Sequence, residues 1–541
     1  MSVLGDRHVQ HMLFLPFTLP FAVRRFLRER LSPVSVRSRL KSQLENREQR
    51  FLELIRARVY AVPGSPYKKL LDYAGCELGD IESCLNRTGL EETLKELARS
   101  GVYLTPGEHK GRQDVERGSL SFRVRTEDLV PPRRYGAALG ASRSSGTTNE
   151  PRSSVSSFDW WREESPAMAL FLDAHGLLSS RMAAYEPMLG SLAAGITFFL
   201  MTARLGVPLD RWFARPVRVN NWLEELYFRL PSHEIALAGQ WFGPGFARPE
   251  LTPAGDIDRI VRWVERSRKE GFTTCIWTVA SNAARIAQVA DEMGASLEGC
   301  TFIASGEPVT RATRRVIEKV GGAVTVLWGY WPTGTVGVGC GRPAYGDEMH
   351  VMRHSLAVIE HPEPITHAIG EPIHPLLFTT LYPSAAQLEI NVANGDHAVL
   401  SERNCGCPMH EAGLTLHAHN VGSFEKFTSE GLAFPFDDLY ELLDTTLPDK
   451  FGGGVGDYQL VEEEGMSGRT HVTLLVDPSV GPIRESSLQD FLTEELAAGS
   501  RSKGFMAGVW RDSGTFRIRR ESPMATSRGK VLPLRVAAKV R

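Results

Sequence analysis

Apolar and polar positions alternate with two periods along this chain, and the change of period divides it. From Arg24 to Ile55 charged residues recur with helical spacing, and Glu91 to Ala98 repeats the pattern before Gly101 stops it. The segment Leu120-Ser-Phe-Arg-Val-Arg125 alternates at period two, which predicts a strand. Beyond residue 158, amphipathic stretches alternate with short apolar runs. Asp256–Lys269 and Ala280–Met293 are predicted helices; Thr273–Val279, Thr301–Ala304 and Ala323–Trp328 are predicted buried strands. Such alternation predicts an α/β body with a largely parallel sheet. Residues 375–403 carry further strand signals. After Gly452-Gly453-Gly454 the chain reads as strands at Tyr458–Glu462 and His471–Val476, a helix at Leu488–Ala498 and a strand at Thr515–Arg519.

The expected architecture is therefore a large domain with mixed, largely parallel sheets and a small α+β C-terminal domain. Its boundaries are expected at 1–100 for a helical extension packed on the body, 101–423 for the large domain and 424–541 for a hinge and the small domain. The length of 541 residues suits more than one core, and 42% apolar residues supply the material. A net charge of −2 gives no field for nucleic acid. Seven cysteines are too few for a disulfide framework, so a reducing, cytoplasmic setting is expected. The apolar run Met12 to Val23 contains Pro16 and Pro20 and is too short to span a bilayer. It is expected to pack on the body, with weak membrane-surface contact as the alternative, and no transmembrane segment is expected.

The candidate chemistry begins at Ser144-Ser145-Gly146-Thr147-Thr148-Asn-Glu-Pro-Arg152. Backbone N–H groups and hydroxyls in such a loop suit an anion, and Arg152 adds a fixed fork of donors. A plain surface loop has the same composition, and the Gly-Lys-Ser/Thr ending of a Walker loop is missing.

This pattern resembles the phosphate loop of the ANL adenylate-forming superfamily, in its phenylacetate–CoA ligase-like branch, and further motifs follow in order. Ser305-Gly306-Glu307-Pro308 is similar to a segment that lies beside adenine in that family. Tyr330-Trp-Pro-Thr333-Gly334 resembles Tyr-Gly-x-Thr-Glu. The resemblance implies that Tyr330 stacks on adenine and Thr333 touches the α-phosphate. Gly395-Asp396 resembles the carboxylate motif that binds the ribose hydroxyls. Pro523-Met-Ala-Thr-Ser-Arg-Gly-Lys530 resembles the closing motif, whose lysine reaches the reacting centre from the small domain. The similarity covers most of 100–535. The chain departs from the pattern at Gly334, where the family has a Glu near magnesium, and in lacking an evident hinge Arg after Gly395-Asp396.

The resemblance implies an AMP-forming acid–thiol ligase. It would activate a small carboxylic acid with ATP and Mg²⁺ and pass the acyl or aryl group to a thiol, usually coenzyme A. An amine, a carrier protein or a protein cysteine are alternative acceptors. A non-catalytic nucleotide-binding protein is the alternative that Gly334 favours. The acid pocket is expected among Trp277-Thr-Val-Ala-Ser281 and Phe171 to His175. Separately, Cys405-Gly-Cys407 is a short chelating pair. With Cys340 and His350 it forms a Cys₃His set suited to a structural Zn²⁺. His354, His361, His410 and His417 are rivals for the fourth place, and unbound thiols packed as small hydrophobes are the plain alternative. Cys76, Cys84, Cys275 and Cys300 read as ordinary buried or surface residues.

Overall fold

The computed structural model describes residues 21–129, 138–143, 153–187, 194–216, 222–330, 334–364, 374–385, 387–423, 436–464, 470–497, 516–525 and 531–536. The body is a ten-stranded sheet wound with helices. In chain order its elements are α1 (Phe158–Ala174), β1 (Arg181–Pro187), α2 (Ala194–Ala203), β2 (Arg211–Arg215), α3 (Trp222–Phe242), β3 (Pro249–Leu251), α4 (Asp258–Lys269), β4 (Thr274–Thr278), α5 (Ala280–Glu292), β5 (Cys300–Ser305), α6 (Arg311–Lys319), β6 (Ala323–Tyr330), β7 (Gly334–Gly339), β8 (Met349–Val351), β9 (Asp396–Glu402) and β10 (Leu416–Ser423). They lie in the order β9-β10-β8-β7-β6-β5-β4-β1-β2-β3. The six strands from β6 to β3 run parallel, and the four beyond pair antiparallel.

The parallel strands are legible because both their faces are covered, so they become continuous apolar runs. All five residues of β4 are buried. The helices are legible because each buries one stripe. α4 buries Ile260, Val261, Trp263 and Val264 and collects Arg266, Arg268 and Lys269 in its last turn, where cations meet the negative end of the helix dipole. α6 is capped by Thr310, whose hydroxyl accepts from the Thr313 N–H. α1, α2 and α3 pack on one face of the sheet around Trp161, Phe198 and Trp212. α4, α5 and α6 pack on the other around Ile260, Ile286 and Ile317.

The helices Arg47–Ile55, Pro66–Tyr73, Leu78–Thr88 and Leu90–Arg99 share a second core with a three-stranded sheet formed by Leu356–Glu360, Leu376–Thr380 and Val392–Ala393. Leu90, Leu94 and Leu97 are buried there, each contributing about 1.5–3 kcal/mol of burial. Asn391 fastens this layer. It takes a left-handed φ of 50°, and its side-chain amide donates to the carbonyls of Leu94 and Val102.

The C-terminal residues build their own sheet and core. β11 (Tyr458–Glu464) and β12 (Thr470–Val476) form a hairpin, followed by α7 (Glu485–Ala497), β13 (Phe516–Arg520) and β14 (Leu534–Val536), in the order β13-β12-β11-β14. The expected strand over residues 120–125 is shorter, Leu120–Phe122, pairing with Val115–Arg117. No helix among the described residues is long and apolar enough to cross a membrane.

Candidate active site and metal cluster

Several of the predicted motifs meet at the carboxyl ends of the parallel strands. β5 ends at Ser305, and Gly306 follows at φ +79°, a conformation that suits glycine. The turn aims Glu307 at the start of α5, where its Oε2 accepts the Ser281 N–H at 2.8 Å. β6, the parallel neighbour of β5, ends at Tyr330, and only the backbone of Tyr330 is described. Tyr330 pairs with Gly334 across the β6–β7 hairpin. Asp396 opens β9 after Gly395 (φ +94°), and its Oδ2 accepts from Trp328 Nε1 at 3.2 Å and from Asn394 Nδ2 at 2.7 Å. The fold therefore brings Asp396 to the end of the strand that carries Tyr330. Ser144, Ser145, Gly146, Thr147, Thr148, Arg152, Thr333 and Lys530 lie outside the described residues. The strands Ala138–Arg143 and Ser153–Ser157, which flank the phosphate-loop candidate in sequence, pair antiparallel, and the second runs directly into α1.

Gly334 has a structural cause. It sits at φ +98°, and a Cβ built on it would lie 2.0 Å from Cζ2 of Trp160 on α1. No side chain fits there, so position 334 offers no side-chain ligand to a metal ion. Behind Trp160 lies a buried pair, Glu164 and His354, with Oε1 and Nε2 4.0 Å apart. Burial pushes Glu164 up to about 8, against partial relief from Ser355 and Trp160, and pushes His354 down to about 3.

Glu307 also lines a cleft between the body and the C-terminal domain. Ser281, Glu307 and Pro308 form one wall, and Tyr440, Asp444 and Tyr458 another. Asp444 accepts the Gly456 N–H at 3.2 Å. Its carboxyl is pushed up to about 7, first by burial and then by Glu307, Asp457 and Glu441.

Cys340, His350, Cys405 and Cys407 converge, with ligand atoms within 4.8 Å of one another. Cys340 follows β7 and His350 sits in β8. Cys405 and Cys407 lie on a turn made by Gly406 at φ +70°. His350 Nδ1 lies 2.8 Å from the Leu414 carbonyl, which can only accept. The proton therefore sits on Nδ1, and the Nε2 lone pair faces Cys407 Sγ at 3.1 Å and Cys405 Sγ at 3.6 Å. Contact with Cys340 and with the His350 imidazole holds the Cys407 thiol well below its ordinary range, while the same contact and burial push Cys340 up. This donor set fits a tetrahedral Zn²⁺ with four protein ligands.

Of the rival histidines, His354 faces Glu164, His361 packs on Tyr103, and His410 pairs with Asn404. His417 lies beside the cluster with Nδ1 2.8 Å from Glu348 Oε1, and it belongs to a second possible set with Cys340 and Glu348. Arg403 ties these groups together: it donates to Glu348 at 2.6 and 2.9 Å and to Cys340 Sγ at 3.5 Å. Sequence reasoning missed Arg403 and Glu348. Their signal was a charged residue placed two before Cys405 and another two before His350. All seven cysteines are free.

Searches of known protein families and of curated proteins find no match. Solved structures do match. A structure of 2-hydroxyisobutyryl-CoA ligase in the postadenylation state, with R3-HIB-AMP, superposes with a TM-score of 0.52 at 14% identity, over 94% of this chain and 91% of that one. The same enzyme with 2-HIB-AMP gives 0.50 at 14% identity, over 94% and 91%. The fold is that of the ANL adenylate-forming ligases. Within that fold the ten-stranded sheet belongs to the large N-terminal body and the sheet β13-β12-β11-β14 to the small C-terminal domain.

Proposed function

We propose that this chain activates a carboxylic acid with ATP as an acyl- or aryl-adenylate and passes the acyl group to a thiol, coenzyme A being the acceptor favoured. One observation carries the reading: Gly306-Glu307, Tyr330 and Asp396, far apart in sequence, stand together at the carboxyl ends of β5 and β6. Open α/β sheets bind ligands at that rim. The structural neighbours, both of an enzyme named a CoA ligase and both in complex with an acyl-AMP, support the same reaction class.

In this reading a carboxylate oxygen attacks the α-phosphorus of ATP, the bond to the bridging oxygen breaks, and pyrophosphate leaves. The thiol sulfur, losing its proton, then attacks the acyl carbon and AMP departs. Positioning and charge compensation dominate such transfers. Ser144–Thr148 and Arg152 hold the phosphates, Thr333 meets the α-phosphate, and Asp396 accepts from the ribose hydroxyls. Lys530 supplies a preorganised cation to the developing charge. The phenylacetate–CoA ligase-like branch and the boundaries near 100 and 424 belong to this proposal. So does a structural Zn²⁺ on Cys340, His350, Cys405 and Cys407, which would tie β7 and β8 to the turn after β9. Position 334, with no room for a side chain, does not fit the magnesium-holding carboxylate of the family pattern.

An adenylation screen over a chemically broad acid library, read by pyrophosphate release, tests the proposal. Release with one acid class, with a coenzyme A thioester found by mass spectrometry, supports it. Nucleotide binding without release for any acid favours the second reading, a non-catalytic nucleotide-binding protein, for which the filled space at Gly334 speaks.

A further inference from the structure

Two helices present an apolar face rimmed by cations on the outside of the body. The helix over residues 21–28 buries Val23, Phe26 and Leu27 in the core that also holds Ile235 and Ala238 of α3. With helical spacing those three fill one side, and Phe21, Arg25 and Arg28 fall on the opposite side, where all three are exposed. This helix meets the C-terminal end of α3. Arg24 lays its guanidinium over the Phe242 ring, 5.0 Å from the centroid. A Cβ on Gly243 would lie 3.2 Å from Leu27 Cδ1.

α3 continues the face. Its buried side carries Ile235 and Ala238, and its outer side carries Leu230 and Trp241, both exposed. Trp241 is 75% exposed and Phe21 72%, more than any other large apolar side chain among the described residues. Trp241 meets Phe242 edge-on, with ring centroids 6.4 Å apart. Cations surround these rings. Arg24, Arg25 and Arg28 come from the first helix. Burial, then Arg229 and Arg248, hold His233 of α3 below its ordinary value, which puts both arginines beside the second. Negative charge is weak here. Glu234 of α3 is pushed up to about 7 by burial, and Glu29 is taken by Arg162 and Arg204.

We propose that this face docks on an anionic lipid bilayer, with Trp241 and Phe21 in the headgroup region and the arginines on lipid phosphates. Exposed apolar side chains rimmed by charge mark interaction surfaces. Rings beside arginines match both layers of a membrane interface at once, the acyl boundary and the phosphates. A second copy of the chain fits the face less well. Across a two-fold axis the same patch faces itself, so arginines would meet arginines. The sequence points the same way: Met12–Pro20, which joins the face at Phe21, carries no charged residue. The docking face stands independently of the adenylation reading.

The test is flotation of the full chain with vesicles of phosphatidylcholine and phosphatidylserine, against vesicles of phosphatidylcholine alone. The chain is expected to float with the anionic vesicles only, and added salt is expected to release it, because exposed charges are screened. Trp241→Ala is expected to weaken binding about tenfold through lost apolar burial, and Phe21→Ser by a similar factor. Arg25→Gln and Arg28→Gln are each expected to weaken it about fivefold. All four positions are exposed, so the unfolding midpoint is expected to stay at that of wild type. No binding to the anionic vesicles overturns the inference, and so does binding of equal strength in wild type and all four variants. A dimer in sedimentation velocity that Trp241→Ala breaks up, with no vesicle binding, also overturns it and puts a second copy on the face.

Discussion

Two groups of ionisable residues in this protein are built on opposite terms. Around the Cys/His cluster the buried carboxylate of Glu348 meets the Arg403 guanidinium, which also reaches Cys340. In the cleft against the C-terminal domain like meets like. Asp444 and Glu307 line the same space, and Asp457 and Glu441 add to the repulsion that burial begins. The contrast is between a buried carboxylate met by an opposite charge and one shut in beside like charges. A compensated cluster costs little to keep shut and much to break. Burying Asp444 beside Glu307 with both charged is costly, which is why the Asp444 carboxyl is pushed up.

The largest effect expected from breaking this contrast lies at the cluster. With Cys407→Ser, one equivalent of zinc per chain is expected to be lost and the unfolding midpoint to fall by roughly ten degrees, because metal binding energy is folding energy. Metal analysis and calorimetry on wild type, variant and chelator-treated protein check this. Equal stability in all three would remove the structural role of the metal.

Next comes the packing of α1 on the start of β7. Gly334→Ala is expected to cost about 1–3 kcal/mol from overpacking alone, since its Cβ would collide with Trp160. Adding Trp160→Ala should recover part of that loss, a coupling a double-mutant cycle reads from denaturant unfolding. Additive effects would show that the two residues do not meet.

The smallest effect is the one that sharpens the comparison, the proton on Asp444. Its folded value of about 7 lies above its ordinary value of 3.8, so the folded chain holds a proton that the unfolded chain releases. Stability from this group is full below about pH 4 and is lost as pH climbs toward 7. Asp444→Asn should remove that slope and make stability flatter across the window. Glu164 acts with the same sign, between its ordinary 4.5 and about 8. His354, held down to about 3, acts with the opposite sign and contributes stability that is lost as pH falls from 6.5. An unchanged pH profile in Asp444→Asn would place the carboxylate in water.

What could be read from sequence followed from how locally each feature is encoded. α4, α5, β4, β5 and β6 were legible because periodicity and apolar runs are properties of adjacent residues, and the observed bounds differ by only a residue or two. β8 and β14, three residues each, carry too little pattern to stand out, and pairing alone makes them strands. The four cluster residues were legible because thiols and imidazole carry their chemistry in their type. Arg403, Trp160 and Glu186 were not: an arginine, a tryptophan and a glutamate take their roles from distant partners, Glu348, Gly334 and Trp277. Gly334 read as a missing carboxylate in sequence and as an occupied space in structure. Thr333, Arg152, Lys530 and the phosphate loop lie outside the described residues.

The most direct test of the central claim is pyrophosphate exchange into ATP by wild type and by Lys530→Ala, with the acid that gives the strongest release in the screen. The account predicts acid-dependent exchange in wild type and a fall of about a hundredfold or more in the variant, the scale on which a single electrostatic contact to a developing charge acts. Acid-dependent exchange that survives Lys530→Ala unchanged, or no exchange in wild type with any acid, would contradict it.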